Sequence, residues 1–412
     1  MEIDYKNRHL EEKLRLASKY FKSILLLGAR QMGKTTLLTE VFQGVRHITF
    51  DPIQDLYGAR SDPDLFLENF PAPLILDEVQ FAPELLSALK RKMDLSSQKG
   101  QYFLTGSQNF NVLKNVAESL AGRVCILHLG SMTPFEITGK SDQNWLKMYL
   151  DTPEQIIINY KGKTNSNLYE TLWKGGLPGL MGIPESLTGE LLSSYIQTYI
   201  ERDVRNLEMI QDIALFNRFI GILAALTSQE INHTELGRDI AISPITAKRW
   251  LHLLEGTYLW RETLPFFGNT LKRITKKRKG YITDTGLACY LQRISSPEGL
   301  ANHPLLGAIF ESFCVNMIMN ISGSLSTSPN FYHWRTSAGA EVDLILDYNG
   351  KLYPIEIKCK SNVTMGDARG IKAFQETYGN THTISTALIL YAGDKCYPLG
   401  NNIIALPWNA LI

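Results

Sequence analysis

The sequence predicts an α/β fold organised around a parallel sheet. Five short apolar runs, at about residues 24–27, 46–50, 73–77, 101–105 and 124–129, alternate with helix-compatible segments. A glycine-rich stretch follows the first run directly, and an acidic pair ends the third. Alternating strands and helices build a sheet whose crossover helices lie on its faces. At 412 residues the chain exceeds one ordinary core, and roughly 150 residues per domain suggests about three domains. A hydrophobic fraction of 44% and a charged fraction of 20% describe a globular chain. The net charge of +1 gives no global pull toward nucleic acid, so any such surface is a local patch. The start, "MEIDYKNRHLEEKLRL", carries acids and lacks the apolar core of a signal peptide. No apolar run approaches the ~18 residues of a membrane span. The expectation is a cytoplasmic chain with no membrane partner. Cys125, Cys289, Cys314, Cys359 and Cys396 are scattered without a CxxC pair, which reads as reduced thiols rather than a disulfide or zinc framework.

The first strand feeds "GARQMGKTT", which contains Gly28-x4-Gly33-Lys34-Thr35. Glycines let successive backbone N–H groups close around phosphate, and the following helix N-terminus adds positive potential. Lys34 is placed to reach the β/γ-phosphates and the Thr35 hydroxyl to ligate Mg²⁺. Arg30 and Thr36 are further candidate nucleotide contacts in the same stretch. "PAPLILDEVQ" ends in Asp77-Glu78. Asp77 is the candidate holder of Mg²⁺ through water, and Glu78 the candidate catalytic base for the attacking water. "YFLTGSQNF" brings Thr105, Ser107, Gln108 and Asn109 to the end of another strand, where polar side chains suit the γ-phosphate or its water. A capped turn explains them equally. Arg123, in "SLAGRV", is a candidate γ-phosphate sensor in cis, a finger across a subunit boundary, or a solvated surface arginine.

On "LLGARQMGKTTLL", "LILDEVQ", "FLTGSQNF" and "SLAGRV", residues 24–140 resemble the prokaryotic P-loop ATPases of the extended AAA group. The resemblance implies ATP, with Mg²⁺, as the cofactors of a P-loop NTPase parallel sheet spanning residues 1–140. Residues 141–212 turn helical around "KGGLPGL" and suit the helical lid or linker of such ATPases; "LLSSYIQTYIERDVRNLEMI" reads as one long helix carrying Arg202 and Arg205.

Residues 213–290 read as a winged helix-turn-helix. Ser243-Pro244 starts a helix that carries Lys248 and Arg249, and "LWRETLPFFG" with "KGYITDTGL" suggests a hairpin. Candidate partners are DNA, through this module and the basic run Lys272–Lys279, and a second copy of the chain. A solvated hairpin packed as part of the lid is the competing reading.

In residues 291–412, "HPLLGAIFESFCVNMIM" is an amphipathic helix with Glu311 among apolar neighbours, and "AEVDLILDYNGKLYPIEIK" is a hairpin turning at Asn349-Gly350. A two-residue loop pairs Tyr348 with Lys351, and places Asp343 opposite Glu356 and Glu341 opposite Lys358. Val342, Leu344 and Leu346 then share the reverse, apolar face with Ile357, Ile355 and Tyr353. Opposed carboxylates repel unless protonated or bridged by a cation, so a divalent ion between Asp343 and Glu356 is expected. Lys358 is the candidate catalytic lysine. This pattern resembles the Asp…Glu-x-Lys constellation of restriction-endonuclease-like folds, in which the helical Glu311 matches the acid that often precedes it as a further metal ligand; the resemblance implies a metal-dependent phosphodiesterase site. Salt bridges on an inherited fold are the alternative. The whole chain resembles bacterial and archaeal proteins that join such an ATPase to a restriction-endonuclease-like α/β domain. The resemblance implies the fold and ATP binding. The leading reading of the residues is an ATPase that regulates a DNA-directed, nuclease-like half; the rival is a nucleotide-controlled DNA- or protein-binding switch that cuts nothing.

Overall fold

A computed structural model describes residues 5–107, 116, 119–140, 145–160, 166–199, 210, 212–269, 273, 276–400 and 402–411. The five apolar runs form β1 (Ser23–Leu27), β2 (Arg46–Thr49), β3 (Leu74–Asp77), β4 (Tyr102–Gly106) and β5 (Val124–His128). All neighbours are parallel, in the order β2-β3-β4-β1-β5. Every residue of β1, β3 and β4 is buried, as a sheet covered on both faces requires. Helices Pro63–Asn69 and Leu85–Leu95 bury Phe66, Leu67, Leu85, Leu86 and Leu89 against Leu25, Leu27, Leu74, Leu76 and Leu104. Each such side chain is worth roughly 1.5–3 kcal/mol when buried. That burial holds the strands in place and leaves the polar residues just beyond their C-terminal ends along one edge. Because β4 lies between β1 and β3, Thr105 and Ser107 flank both the loop after β1 and the acids after β3.

This sheet belongs to one compact unit, Asn7–Gly130 with Leu253–Leu259; the other comprises chiefly Ser131–His252 and Trp260–Ile412. The observed division falls at residue 130/131, ten residues before the expected end of the ATPase core. Apart from Leu253–Leu259, residues 213–290 share a unit with the C-terminal strands, and the pairing of β7 with β9 explains it.

The larger unit carries β6 (Gln229–Glu230), β7 (Trp260–Pro265), β8 (Lys279–Ile282), β9 (Asn330–Arg335), β10 (Glu341–Tyr348), β11 (Lys351–Lys358), β12 (Thr383–Ile384), β13 (Ala387–Tyr391), β14 (Tyr397–Pro398) and β15 (Ile403–Pro407). They form one sheet in the order β14-β15-β13-β11-β10-β9-β7-β8-β6, with β12 beside β11. The expected hairpin is present, with Trp260 opposite Ile282 and Thr263 opposite Lys279. It is not a free wing, because Leu264 and Pro265 pair in parallel with Tyr332 and His333 of β9. Joining β9 satisfies an edge that would otherwise expose unpaired backbone groups. Helices Ile213–Ala225, His233–Asp239 and Pro244–Gly256 precede it, and Trp250 packs edge-on against Phe216 and Phe219. Helices Trp145–Asp151, Gln155–Asn159, Leu168–Lys174 and Thr188–Tyr199 occupy the described part of 145–199, with Leu192, Tyr195, Ile196 and Tyr199 buried on the last. Arg202 and Arg205 lie outside the described residues, as do Gln108, Asn109 and Lys272.

The β10–β11 hairpin turns at Asn349 (φ 50°) and Gly350 (φ 75°), and Tyr348 pairs with Lys351, Leu346 with Tyr353 and Leu344 with Ile355. The expectation of one apolar face needs correction. Leu344, Leu346, Tyr353, Ile355 and Ile357 pack with helix Leu306–Ser322, while Ile345 and Leu352 pack with Ile371 and Phe374 of helix Arg369–Tyr378. Both faces are covered. Val342 joins Ile345 rather than Leu344, because the β9–β10 register shifts between Val342 and Ile345 and turns Val342 to the other side.

Candidate functional site

The loop between β1 and helix Lys34–Val41 is shaped by a close approach: a Cβ on Gly28 would stand 2.2 Å from the Leu129 carbonyl oxygen. Only glycine fits there. Lys34 is buried, and its Nζ donates to the carbonyls of Gly28 (3.0 Å) and Ala29 (2.8 Å). Arg8 braces the loop from outside the motif, donating to Met32 O at 2.9 Å and Gly130 O at 2.8 Å. Arg30 is half-buried in the loop, and Thr36 is exposed on the first helical turn.

The Thr35 hydroxyl donates to Asp77 Oδ1 at 2.7 Å, joining the loop to the acidic strand end. The buried Thr105 hydroxyl donates to the same oxygen, and Thr49 donates to Oδ2 at 3.2 Å. His47 Nε2 stands 3.7 Å from Oδ2 and 3.0 Å from the Thr49 hydroxyl. Asp77 is therefore oriented through both oxygens. Glu78 adopts a left-handed backbone (φ 58°, ψ 50°), which costs a non-glycine residue about 1–2 kcal/mol. Its N–H donates to Thr105 Oγ1 at 3.1 Å, and its Oε2 accepts from Ser107 Oγ at 3.0 Å and Gln80 Nε2 at 2.5 Å. The structure thus brings Gly28, Gly33, Lys34, Thr35, Asp77, Glu78 and Ser107 to one edge of the sheet. Arg8, His47 and Thr49 were not singled out in the sequence, where only chain-distant contacts give them a role.

Arg123 is not at this edge. It precedes β5, and its carbonyl accepts from the N–H of Ser23, the first residue of β1, so it lies at the opposite end of the strands from Gly28. Its guanidinium forms a two-point pair with Asp94, at 2.6 and 3.0 Å. A γ-phosphate sensor in cis is thereby ruled out for Arg123. The "SLAGRV" stretch reads naturally as a strand entry, and strand polarity puts its arginine at the wrong end.

In the larger unit the acids expected to hold a metal are gathered around lysines. Lys279 Nζ stands 2.6 Å from Glu311 Oε1 and 3.1 Å from Asp343 Oδ1. Asp343 Oδ2 accepts from the Ile357 N–H at 2.9 Å, and Lys358 Nζ pairs with Glu356 Oε1 at 2.5 Å. Tyr281 donates to Glu311 at 3.3 Å. Lys279 was expected in an exposed basic run, yet it is buried while Lys276, Lys277 and Arg278 are exposed. Glu341 pairs with Arg335 at 3.8 Å, not with Lys358. Burial opposes the Lys279 ammonium, but the charges of Asp343 and Glu311 outweigh it and hold its pKa well above the usual lysine value. Burial and the Asp343 charge push Glu311 up to about 8 and raise Glu356 well above the carboxylate range. Burial would raise Asp343 too, but Lys279, Lys358 and the Ile357 N–H bring it below its ordinary value. Among the described residues, no group of three or more His, Cys, Asp or Glu side chains is arranged to hold a metal ion.

Residues 20–138 match the model of the AAA domain. Together with the loop geometry and the parallel sheet, this match decides the class of the N-terminal unit. It is a P-loop ATPase domain of the AAA type. Beyond the AAA domain, residues 165–298 and 306–411 match two domains of unknown function, DUF8612 and DUF4143. Uncharacterized proteins of Mycobacterium tuberculosis and Mycobacterium bovis are each 28% identical over 407 residues, covering 98% of this chain and 84% of theirs. A Walker-type ATPase of Pyrococcus abyssi overlaps 71% of this chain and 99% of its own at 18% identity and a TM-score of 0.44. The RuvB Holliday junction branch migration motor of Thermotoga maritima overlaps 62% and 88%, at 15% identity and a TM-score of 0.29. No helix among the described residues is long and apolar enough to cross a membrane.

Proposed function

We propose that the chain binds and hydrolyses ATP at the edge built by Gly28–Thr35, Asp77, Glu78 and Ser107, and that nucleotide state controls a DNA-directed C-terminal half. The observation that carries the first part is the hydrogen-bonded array joining Thr35, Asp77, Thr105, Glu78 and Ser107. Backbone N–H groups at the start of helix Lys34–Val41 and the Lys34 ammonium suit the phosphates. Thr35 and Asp77 offer the hard oxygen donors that Mg²⁺ prefers, and the ion, when bound, neutralises phosphate charge. Glu78 takes the proton of the attacking water, held in position through Oε2 by Ser107 and Gln80. Lys34→Ala should abolish high-affinity ATP binding. Glu78→Gln should bind ATP like the wild type while turnover falls about 100-fold or more. Equal hydrolysis by Glu78→Gln and wild type removes Glu78 as the base.

The DNA-directed part is supported by exposed Lys248, Arg249, Lys276, Lys277 and Arg278 on or beside a helix-turn-helix-like arrangement closed by β6, β7 and β8. Cations on such a module suit a phosphate backbone.

A further inference from the structure

We infer that the Lys279 ammonium is the permanent counter-ion of Glu311 and Asp343, standing where the nuclease-like constellation has its divalent metal ion. The inference rests on the C-terminal cluster alone and is independent of ATP hydrolysis.

Lys279 is the first residue of β8, and its backbone is pinned on both sides, opposite Glu230 of β6 and Thr263 of β7. From there its buried side chain enters between the helix that carries Glu311 and the strand that carries Asp343. A cation bridging those carboxylates would occupy the same space.

Asp343 offers Oδ1 to Lys279 and Oδ2 to the Ile357 N–H, so both of its oxygens are engaged. Glu311 Oε1 is shared by Lys279 and Tyr281, and Glu356 Oε1 is taken by Lys358. Glu356 Oε2 is buried without a hydrogen-bond partner, which is the feature that most favours a cation. With Glu311 Oε2, that leaves two carboxylate oxygens outside these contacts, a poor start for an ion that takes about six oxygen ligands.

Charge settles the preference. Even with all three carboxylates ionised, Lys358 alone would leave two negative charges, which one divalent ion neutralises. The second ammonium leaves at most one, so a divalent ion would make the buried cluster positive unless Lys279 withdrew, and a proton on Glu311 or Glu356 only enlarges that excess. The cluster therefore keeps the acids of a nuclease-like site as an ion-paired scaffold, and metal-assisted phosphodiester cleavage does not occur there.

Mn²⁺ binding to the full chain without nucleotide, read by electron paramagnetic resonance, tests this. Wild type and Asp343→Asn should bind Mn²⁺ alike. Lys279→Met should gain one Mn²⁺ per chain, and the added Asp343→Asn change should remove it. A wild-type Mn²⁺ site lost in Asp343→Asn, or in Glu311→Gln, overturns the inference. So does a folded Lys279→Met protein that gains no ion. Should Lys279→Met fail to fold, the wild type with the two carboxyl variants still decides, and Mn²⁺-dependent plasmid nicking abolished by Asp343→Asn would also overturn it.

Discussion

Thr105 serves two neighbours at once, donating to Asp77 Oδ1 and accepting from the Glu78 N–H. Thr105→Val keeps the shape and removes both bonds, leaving the Glu78 N–H without its acceptor and Asp77 Oδ1 with Thr35 alone. It should cost about 1–3 kcal/mol in urea unfolding and lower kcat, because Asp77 and Glu78 lose their common anchor. Unchanged stability and turnover would show that Thr105 is only filler. Glu311 makes a prediction of opposite character. Its carboxyl is pushed up to about 8 from 4.5, by burial first and by the charge of Asp343 second. Between those values the folded chain holds a proton that the unfolded chain releases. The stability from this group is therefore complete below about pH 4.5 and is lost as pH rises through about 8. Asp343, whose pKa is lowered, acts the other way and loses its contribution as pH falls. Urea unfolding at pH 5 and pH 8.5 should show wild type losing stability relative to Glu311→Gln over that interval. Parallel profiles would refute the proton on Glu311.

Among the elements, helix Arg369–Tyr378 lies against β10 so closely that a Cβ on Gly370 would meet the Glu341 carbonyl oxygen at 1.7 Å. Gly370→Ala must lift the helix from the sheet, separating Ile371 and Phe374 from Ile345 and Leu352. A loss of about 1–3 kcal/mol is expected, the usual cost of overpacking a tight contact; thermal melting matching wild type would mean the helix shifts without penalty. Strand polarity makes the second prediction at this scale. Arg123 sits where β5 begins, so Arg123→Ala should leave ATP affinity unchanged and alter stability little, because water screens its pair with Asp94. A large fall in ATP affinity would contradict the strand polarity described for Arg123.

At the scale of the whole molecule, a net charge of +1 means that DNA binding depends on where the cations stand. Replacing Lys276, Lys277 and Arg278 with Ala should weaken DNA binding and reduce its salt slope by roughly 0.9 per lost phosphate contact. An unchanged slope would return the run to a solvated surface. Lys279 is left out of that test because its side chain belongs to the interior.

Short-range chemistry made much of this molecule legible in its residues. Gly28-x4-Gly33-Lys34-Thr35 after an apolar run, Asp77-Glu78 after another, and Asn349-Gly350 between alternating runs are local patterns whose spacing sets local geometry. The five-stranded parallel sheet and the hairpin register grew out of them. Long-range pairing decided the rest. Nothing near Arg123 says which end of the sheet it occupies, because that depends on β5 lying parallel to β1. Nothing in the periodicity of β10 announces the register shift after Val342, which arises from its pairing with β9. Lys279 ends a basic run and reads as solvated, but β8 pairs with β6 and β7 and turns it toward Asp343, 64 residues away. A run of residues specifies its own turns and alternation; which distant charge a side chain meets is set only when the sheets assemble.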